Sequence, residues 1–212
     1  MLKNTFSLLI CLLFIKNTSQ AQSVVSADKM NIFYIGVANP IEITANGIPR
    51  KELEVTCKGA AIAGSTGVYT VTCSAPGEAQ ITVAHKGKTI QEHIFKIKRI
   101  PDPIVAIAVN SGSNKGGPIG NGIFRAVKSL YVEMSNFDFD AHCDIQSFNF
   151  TYIRNNGEIV TYPNQGANFN ANVLAAVKMA SPGDTYYFDE VKARCPGDDS
   201  GRPVNSLVFT IK

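Results

Sequence analysis

The sequence predicts a mainly β protein made of two tandem Ig-like β-sandwich domains, the second of which carries a short helix. Three observations favour this fold class. Short alternating runs rich in Val, Ile, Thr, Tyr and Phe recur along the chain and are bounded by turn residues. Their spacing is that of a sandwich rather than of βαβ units. A proline-containing break near residue 100 divides these runs into two groups.

The composition excludes two broad classes of protein. Of the 212 residues, 45% are hydrophobic and 17% are charged, which is too apolar and too low in charge for a disordered tail. The net charge of +3 gives no argument for a nucleic-acid partner. At about 100–200 residues per domain, the length allows one or two folded domains.

Residues 1–21 have the pattern of a secretory signal peptide. Lys3 gives a positive start, Phe6–Ile15 is largely apolar, and Ser19–Ala21 fits a cleavage site after its last residue. The apolar run is far shorter than the about 20 residues that span a bilayer, which argues against a membrane anchor. Cys11 does not indicate a lipoprotein, because the isoleucine before it is too bulky. We therefore expect an exported protein, periplasmic or secreted, with no membrane span after signal removal.

The first domain, residues 22–99, is predicted to contain six strands separated by turns. Asn46-Gly47 and Pro76-Gly77 mark two of these turns, and His85-Lys86-Gly87-Lys88 is typical of a tight hairpin. The predicted strands are Ile32–Val37, Ile41–Thr44, Leu53–Cys57, Val68–Cys73, Ala79–His85 and Thr89–Lys98.

The boundary between the domains is predicted at residues 100–103. Pro101 and Pro103 flank Asp102, and such a segment cannot continue a central strand. Because a short proline-containing linker is stiff, we expect the two domains to hold a limited range of orientations.

The second domain, residues 104–212, is predicted to be mostly β. Within one strand, Ile145 and Ser147 are expected on one face, and Gln146 and Phe148 on the other. The predicted strands are Ile104–Val109, Ser129–Met134, Asp144–Arg154, Glu158–Tyr162, Thr185–Ala193 and Val204–Ile211.

Two turn signals shape this second domain. Asn155-Asn156-Gly157 predicts a hairpin turn. The alanine-rich segment Asn172–Met179 is predicted to be the single helix, with Asn170 or Asn172 as its cap and Ser181-Pro182-Gly183 as its stop.

Four cysteines remain after signal cleavage: Cys57, Cys73, Cys143 and Cys195. Four cysteines allow three pairings, and the domain boundary favours one disulfide in each domain. The cysteines could instead form a metal site or a redox pair, but neither spacing resembles CxxC and no histidine stands at ligand spacing. The exported context favours structural disulfides.

Several residues invite a catalytic or metal-binding interpretation. His142 precedes Cys143, but adjacent strand residues point to opposite faces, so a solvated loop histidine is the better interpretation. Asp138 and Asp140 alternate with Phe137 and Phe139, so a strand would place both carboxylates on one side. Carboxylates two residues apart fit calcium or a glycosidase pair, yet nothing supplies the further ligands or a cleft. We assign no catalytic residue, metal or cofactor, and interpret His85 and His93 as surface residues.

The glycine-rich stretch Gly112–Gly122 is a candidate contact loop, with Asn114, Lys115, Gly116 and Gly117 at its centre. It lacks the GK[ST] ending of a phosphate-binding loop, and no helix is expected after it. A mobile interstrand loop is predicted, and such loops often carry function on sandwich scaffolds. The turn 198–202 has the same two interpretations, a plain turn or a contact surface.

Several segments resemble a known protein family. They include the opening Val24–Asn31, the segment Tyr34–Ile41, the strand Gly67–Val71 and the junction Lys98–Pro103. In the second half they include Asn136–Asp140, Ser147-Phe148, Gly183-Asp184, Val191–Pro196 and the Gly201-Arg202 turn. Over residues 24–212 the sequence resembles the C-terminal domains of the gliding-motility protein GldM, called PorM in other Bacteroidetes.

This resemblance implies a noncatalytic role. In that family, such domains form the tail of a periplasmic shaft in the type IX secretion and gliding machinery. The tail contacts a periplasmic ring, while a membrane helix at the base of the shaft serves proton-driven motion. With a cleavable signal and no membrane helix, this chain is expected to keep the tail's binding or packing role and not to act as a motor. We expect its partners to be other proteins, including machinery subunits or further copies of itself.

Two other functions remain open from the sequence. A carbohydrate-binding or cell-surface module of a Bacteroidetes-type bacterium would need exposed aromatic rings, and because Trp is absent, the supply is Tyr152, Tyr162, Tyr186 and Tyr187. A hydrolase would have to use Asp138 and Asp140.

Overall fold

The structure is a computed structural model that describes residues 23–26, 31–110 and 112–212. The predicted signal peptide and its cleavage site lie outside these residues. Two β-sandwiches follow one another along the chain, which confirms the predicted fold class. The N-terminal sandwich consists of β1 (Ser23–Ser26), β2 (Ile32–Tyr34), β3 (Asn39–Ala45), β4 (Glu54–Lys58), β5 (Ala61–Ser65), β6 (Val68–Thr72), β7 (Gly77–His85) and β8 (Lys88–Lys98).

The N-terminal sandwich stacks two four-stranded sheets, in the orders β1-β3-β6-β5 and β2-β8-β7-β4. Alternate residues of β3 and β7 are buried, as expected when one face of each strand packs on the core. Phe33 and Phe95 stack with ring centroids 4.2 Å apart near the centre of this core. The predicted hairpin between β7 and β8 is confirmed, and Lys86 and Gly87 both have positive φ, as a type I′ turn requires.

A buried asparagine organises the entry to β3. Asn39 is 1% exposed, and its Oδ1 accepts a hydrogen bond from the backbone N–H of Tyr34 at 2.7 Å. Its Nδ2 donates to the backbone oxygens of Tyr34, Val37 and Val71 at 2.9–3.1 Å. The side chain thereby ties the end of β2 to strand β6 of the opposite sheet.

The C-terminal sandwich is larger and contains two short helices among its described residues. Its elements are β9 (Ile104–Val109), β10 (Gly112–Asn114), β11 (Gly117–Ile119), α1 (Asn121–Arg125), β12 (Leu130–Glu133), β13 (Asp144–Ile153), β14 (Ile159–Gln165), α2 (Ala171–Lys178), β15 (Thr185–Arg194), β16 (Arg202–Pro203) and β17 (Leu207–Ile211). Sheet β10-β9-β12 faces a six-stranded sheet ordered β11-β17-β15-β13-β14, with β16 paired to β15.

The expected alternation along β13 is wrong at its start. Ile145 is buried together with Phe148, Phe150 and Tyr152, although it was expected on the opposite face. The register of β13 against β15 shifts between Ile145 and Asn149. Such a bulge inserts an extra residue and reverses the inward-facing parity of the strand.

Helix α2 is close to its predicted position, and its cap is Asn170. The Oδ1 atom of Asn170 accepts hydrogen bonds from the backbone N–H groups of Asn172 and Val173, both at 3.1 Å. The helix packs Val173, Ala176 and Val177 into the core. A second helix, α1, was not predicted, and it buries Phe124 completely.

Replacing Asn170 with alanine should lower the free energy of unfolding by about 1 kcal/mol, because it removes the N-cap of α2. Urea denaturation followed by circular dichroism measures the change. Asn156→Ala, in the β13–β14 turn, gives a comparison in which no helix cap is lost. A variant that is as stable as the unaltered protein would contradict the capping role.

Candidate functional site at the junction of the two sandwiches

The segment between the sandwiches is held by a buried arginine. Arg202 is 8% exposed and donates from Nη1 to the backbone oxygen of Ile100 at 2.7 Å and to Asp102 Oδ1 at 2.9 Å. Its Nε and Nη2 donate to the two carboxylate oxygens of Asp198 at 2.8 and 2.7 Å. The guanidinium therefore binds the linker on one side and a carboxylate of its own sandwich on the other, in the bidentate geometry that favours strong charged hydrogen bonds.

Asp198 is the acceptor at the centre of this junction. Its side chain is 1% exposed and also accepts from the backbone N–H of Cys195 at 2.9 Å and from Arg99 Nη2 at 2.8 Å. Burial opposes its ionisation, but the hydrogen bonds from Arg202, Cys195 and Arg99 outweigh burial and hold its pKa at about 2. Since Arg99 follows β8, Asp198 joins the end of the N-terminal sandwich to the C-terminal one.

The backbones of the two sandwiches meet at a pair of glycines. A side chain on Gly36 would collide with the backbone of Pro196 and Gly197. A Cβ on Gly197 would lie 2.6 Å from Ile35 Cγ2. Both glycines have a φ of +79°, which L-residues with side chains rarely adopt. Only glycine at both positions permits this close approach.

Three aromatic rings form a second contact across the junction. The ring of Tyr34 lies edge-on to Phe137 and Phe139, with centroids 4.9 and 5.2 Å apart. The expected strand around these rings is wrong, because residues 134–143 are irregular in the structure. Their phenyl groups pack on the neighbouring sandwich, so the expectation that Asp138 and Asp140 line one face of a strand no longer applies.

The predicted disulfide between Cys143 and Cys195 is confirmed. Their Cα atoms are 4.1 Å apart, and the two residues lie one step beyond the paired Asp144 and Arg194 at the end of the β13–β15 ladder. Since Cys143 is oxidised, it is no nucleophile. The neighbouring His142 has an 88% exposed side chain and pairs with Asp144 at 3.3 Å, as a solvated loop histidine would.

Comparison with known protein families decides the identity. The family model of the GldM third domain matches residues 22–98, and that of the GldM C-terminal domain matches residues 101–212. The chain belongs to the GldM family. This confirms the resemblance found in the sequence. Domains of this family are structural, non-enzymatic components that engage in protein–protein interactions of the gliding and secretion machinery, and its C-terminal domains are periplasmic.

Several solved structures match most of this chain at low sequence identity and low TM-score. The adhesin InvE from Yersinia pseudotuberculosis is 10% identical, with 90% of this chain and 58% of that chain covered and a TM-score of 0.31. Domains 4 and 5 of the S-layer protein SbsC are 10% identical, with coverages of 91% and 99% and a TM-score of 0.36. Human mucin-like protocadherin EC1-2 is 14% identical, with coverages of 89% and 98% and a TM-score of 0.26. A search of curated proteins finds no match to this chain.

The second expected disulfide is not formed in this GldM-family structure, where Cys57 and Cys73 are free thiols. Cys57 lies on β4 and Cys73 directly follows β6, so the two belong to opposite sheets and are not neighbours in one ladder. Burial, followed by the nearby Cys57, raises the pKa of Cys73 to about 11, and burial also raises the pKa of Cys57. Both thiols are therefore protonated and poorly nucleophilic at neutral pH.

Alkylation of the processed protein should label two cysteines when it is denatured without reductant. Cys57 and Cys73 should carry the label, whereas the bonded Cys143 and Cys195 should not. Peptide mass spectrometry identifies the sites, and a reduced sample in which all four are labelled serves as the control. Complete protection of all four cysteines would show that a second disulfide forms after all.

The candidate contact loop is more ordered than expected for a mobile loop. Two short strands, β10 and β11, end and begin within this loop, so that only Lys115 and Gly116 lie between them, and the two strands belong to different sheets. Asn114 Oδ1 accepts from the N–H of Gly116 at 2.9 Å, and Lys115 Nζ lies 2.8 Å from Glu133 Oε2. Hydrogen bonds from Lys115 and Ser113 lower the pKa of Glu133 to about 2. The expectation that no helix follows is also wrong, because α1 begins directly after the stretch's last strand.

The tyrosines that would serve a carbohydrate-binding face are largely internal. Tyr152 and Tyr186 are 4% and 0% exposed, and their ring centroids are 6.1 Å apart within the core of the C-terminal sandwich. Tyr162 packs against the same core. The buried rings of Tyr152 and Tyr186 cannot stack on a sugar in solvent, whereas Tyr162 and Tyr187 are half-buried.

In the part of the chain that the structure describes, no helix has the length and apolar character needed to cross a bilayer. The His, Cys, Asp and Glu side chains of this part form no group of three suited to a metal ion. The sequence indicated the turn 198–202 but not its ion pairs. The available signal in the sequence was an aspartate and an arginine, Asp198 and Arg202, within one glycine-containing turn. Their partners at residues 99–102 lie about 100 residues earlier in the chain.

Proposed function

We propose that this chain is a noncatalytic, exported structural module that acts by binding other proteins, like the periplasmic tail of the type IX secretion and gliding shaft. The observation that carries the proposal is the presence of both GldM domains in order, over residues 22–98 and 101–212. The proposal includes cleavage of residues 1–21, a linker at residues 100–103, and a periplasmic or secreted location.

The junction supports a role in which the arrangement of the two sandwiches matters. A flexible tether would not need a buried Asp198–Arg202 pair or two glycines with left-handed backbone in contact. Burying two charges is favourable only when their geometry and remaining hydrogen bonds are satisfied, and this site satisfies both. A fixed arrangement lowers the entropy cost of presenting both sandwiches to one partner.

The contact loop at Asn114, Lys115, Gly116 and Gly117 is the proposed binding surface. It joins two sheets at the surface, and Lys115 is held toward Glu133 rather than free in solvent. A preorganised loop of this kind loses less entropy on binding than a mobile one. A cleft of about 570 Å³ lies near it, lined by Ala108, Val109, Asn110, Gly120, Gly122, Ile123 and Ala126.

Affinity capture from a cell-envelope extract tests the proposed function. The purified, processed protein should enrich subunits of the gliding or type IX secretion machinery, identified by mass spectrometry. The matched control is Gly36→Ala, whose added methyl collides with the backbone of Gly197 and should reduce capture. Failure of the unaltered protein to enrich any of these subunits would contradict the proposal.

A further inference from the structure

We propose that the Cys143–Cys195 disulfide sets the orientation of the two sandwiches, in addition to closing the C-terminal one. The inference rests on the proposed export, because a structural disulfide persists in an oxidising compartment. The inference assigns positioning roles to two cysteines for which the sequence predicted only a structural disulfide within one domain.

Two separate segments of the C-terminal sandwich contact the N-terminal sandwich. The first is the irregular segment 134–143, which places Phe137 and Phe139 against Tyr34. The second is the turn 195–202, which brings Gly197 against Ile35 and holds the linker through Asp198 and Arg202. Residues 134–143 form no strand, and the second segment pairs with a neighbouring strand only from Arg202 onward.

The disulfide connects these two segments where each leaves the sheet. Cys143 ends the first segment and Cys195 begins the second, and both are at most 4% exposed. The β13–β15 ladder already pairs up to Asp144 and Arg194, so the disulfide is not needed to keep those strands together. Its distinct effect is to fix the distance between the two segments beyond the end of the sheet.

The disulfide also acts directly on the buried ion pair. The backbone N–H of Cys195 donates to Asp198 Oδ2 at 2.9 Å, on the same oxygen that accepts from Arg202 Nε at 2.8 Å. A shift of Cys195 therefore displaces the carboxylate that holds both Arg202 and Arg99. Because the backbones are in close contact at Gly36 and Gly197, such a shift of Cys195 should separate the two sandwiches at the junction.

Residual dipolar couplings of the full processed protein test this inference. In the oxidised protein, both sandwiches should fit one alignment tensor, and Tyr34 should show Overhauser contacts to Phe137 and Phe139. Cys143→Ala/Cys195→Ala should retain both folded sandwiches but require two tensors and lose these contacts. A Cys143→Ala/Cys195→Val variant, which refills part of the buried space, provides a second measurement if the first variant unfolds.

Two comparison variants separate positioning from general destabilisation. Asn170→Ala weakens the C-terminal sandwich far from the junction and should keep one tensor. Gly36→Ala opens the junction with the disulfide intact and should give two tensors. One common tensor in a folded disulfide-free variant would overturn the inference. This readout involves no binding partner, so its failure is distinguishable from failure of the proposed function in affinity capture.

Discussion

Replacing Asp198 with asparagine should lower the free energy of unfolding by about 3–5 kcal/mol. The change keeps the shape of the side chain but leaves the 8% exposed guanidinium of Arg202 without its buried counter-charge. The remaining partner, Asp102, has a 75% exposed side chain and compensates poorly. Urea denaturation with a spectroscopic probe measures the loss.

The adjacent Asp199 provides the matched control for this substitution. Asp199 is exposed, so Asp199→Asn removes the same charge from the same turn without leaving a buried cation. Its effect should stay within about 0.5 kcal/mol, as for most surface substitutions. Equal effects of the two substitutions would show that the ion pair does not stabilise the junction.

The ionisation of Asp198 should make the free energy of unfolding depend on pH. The pKa of Asp198 is about 2 in the folded protein, below its ordinary value of 3.8. Because the folded pKa is depressed, its contribution of about 2 kcal/mol is fully present above about pH 5 and is lost progressively as the pH falls through 2. Asp198→Asn should lack this part of the acid-induced loss. An identical acid profile in the variant and the unaltered protein would contradict the assignment.

Removing the Cys143–Cys195 disulfide should cost about 4 kcal/mol of unfolding free energy. The two residues are separated by 52 positions, so the bond restricts a long loop in the unfolded chain. Cys143→Ala/Cys195→Ala, compared with the unaltered protein in urea without reductant, measures the effect.

The matched control is Cys57→Ala, which removes a thiol without removing a disulfide. Cys57→Ala should cost less, because Cys57 is a free, half-buried thiol in the N-terminal sandwich. If the disulfide-free variant is no less stable than Cys57→Ala, the disulfide does not contribute as described.

Local sequence patterns predicted most of the fold. Long alternating runs gave β7, β8 and β15 almost to the residue, because one face of each packs on a core. The patterns failed where elements are short. Strand β5, Ala61–Ser65, has small residues and an exposed pattern, and β10 and β11 contain three residues each. Such strands are defined by their pairing partners rather than by their own periodicity.

The bulge in β13 shows a different limit of sequence reasoning. Strict alternation places Ile145 opposite Phe148, yet the structure buries both. The extra residue in β13 follows from the way this strand pairs with β15, in which the register shifts and Glu190 has a φ of +50°. No local feature of the sequence reports this tertiary requirement.

The sequence predicted a position for the junction but not its contacts. Pro101 and Pro103 predicted a stiff linker, and in the structure β8 ends at Lys98 and β9 begins at Ile104. In the structure, the contacts that restrain the junction come from Arg202, Asp198 and the glycine pair, which lie about 100 to 160 residues from their partners. Contacts at such separation depend on how the completed sandwiches meet.

In-cell photo-crosslinking tests the central claim, that this GldM-family chain acts by binding other proteins. A photoreactive amino acid at Lys115 places the probe on the contact loop, and cells kept in the dark provide the control. After irradiation, we expect adducts that contain subunits of the gliding or type IX secretion machinery, or a second copy of the chain. Irradiated cells that yield only the uncrosslinked protein, with the probe incorporated and the protein folded, would contradict it.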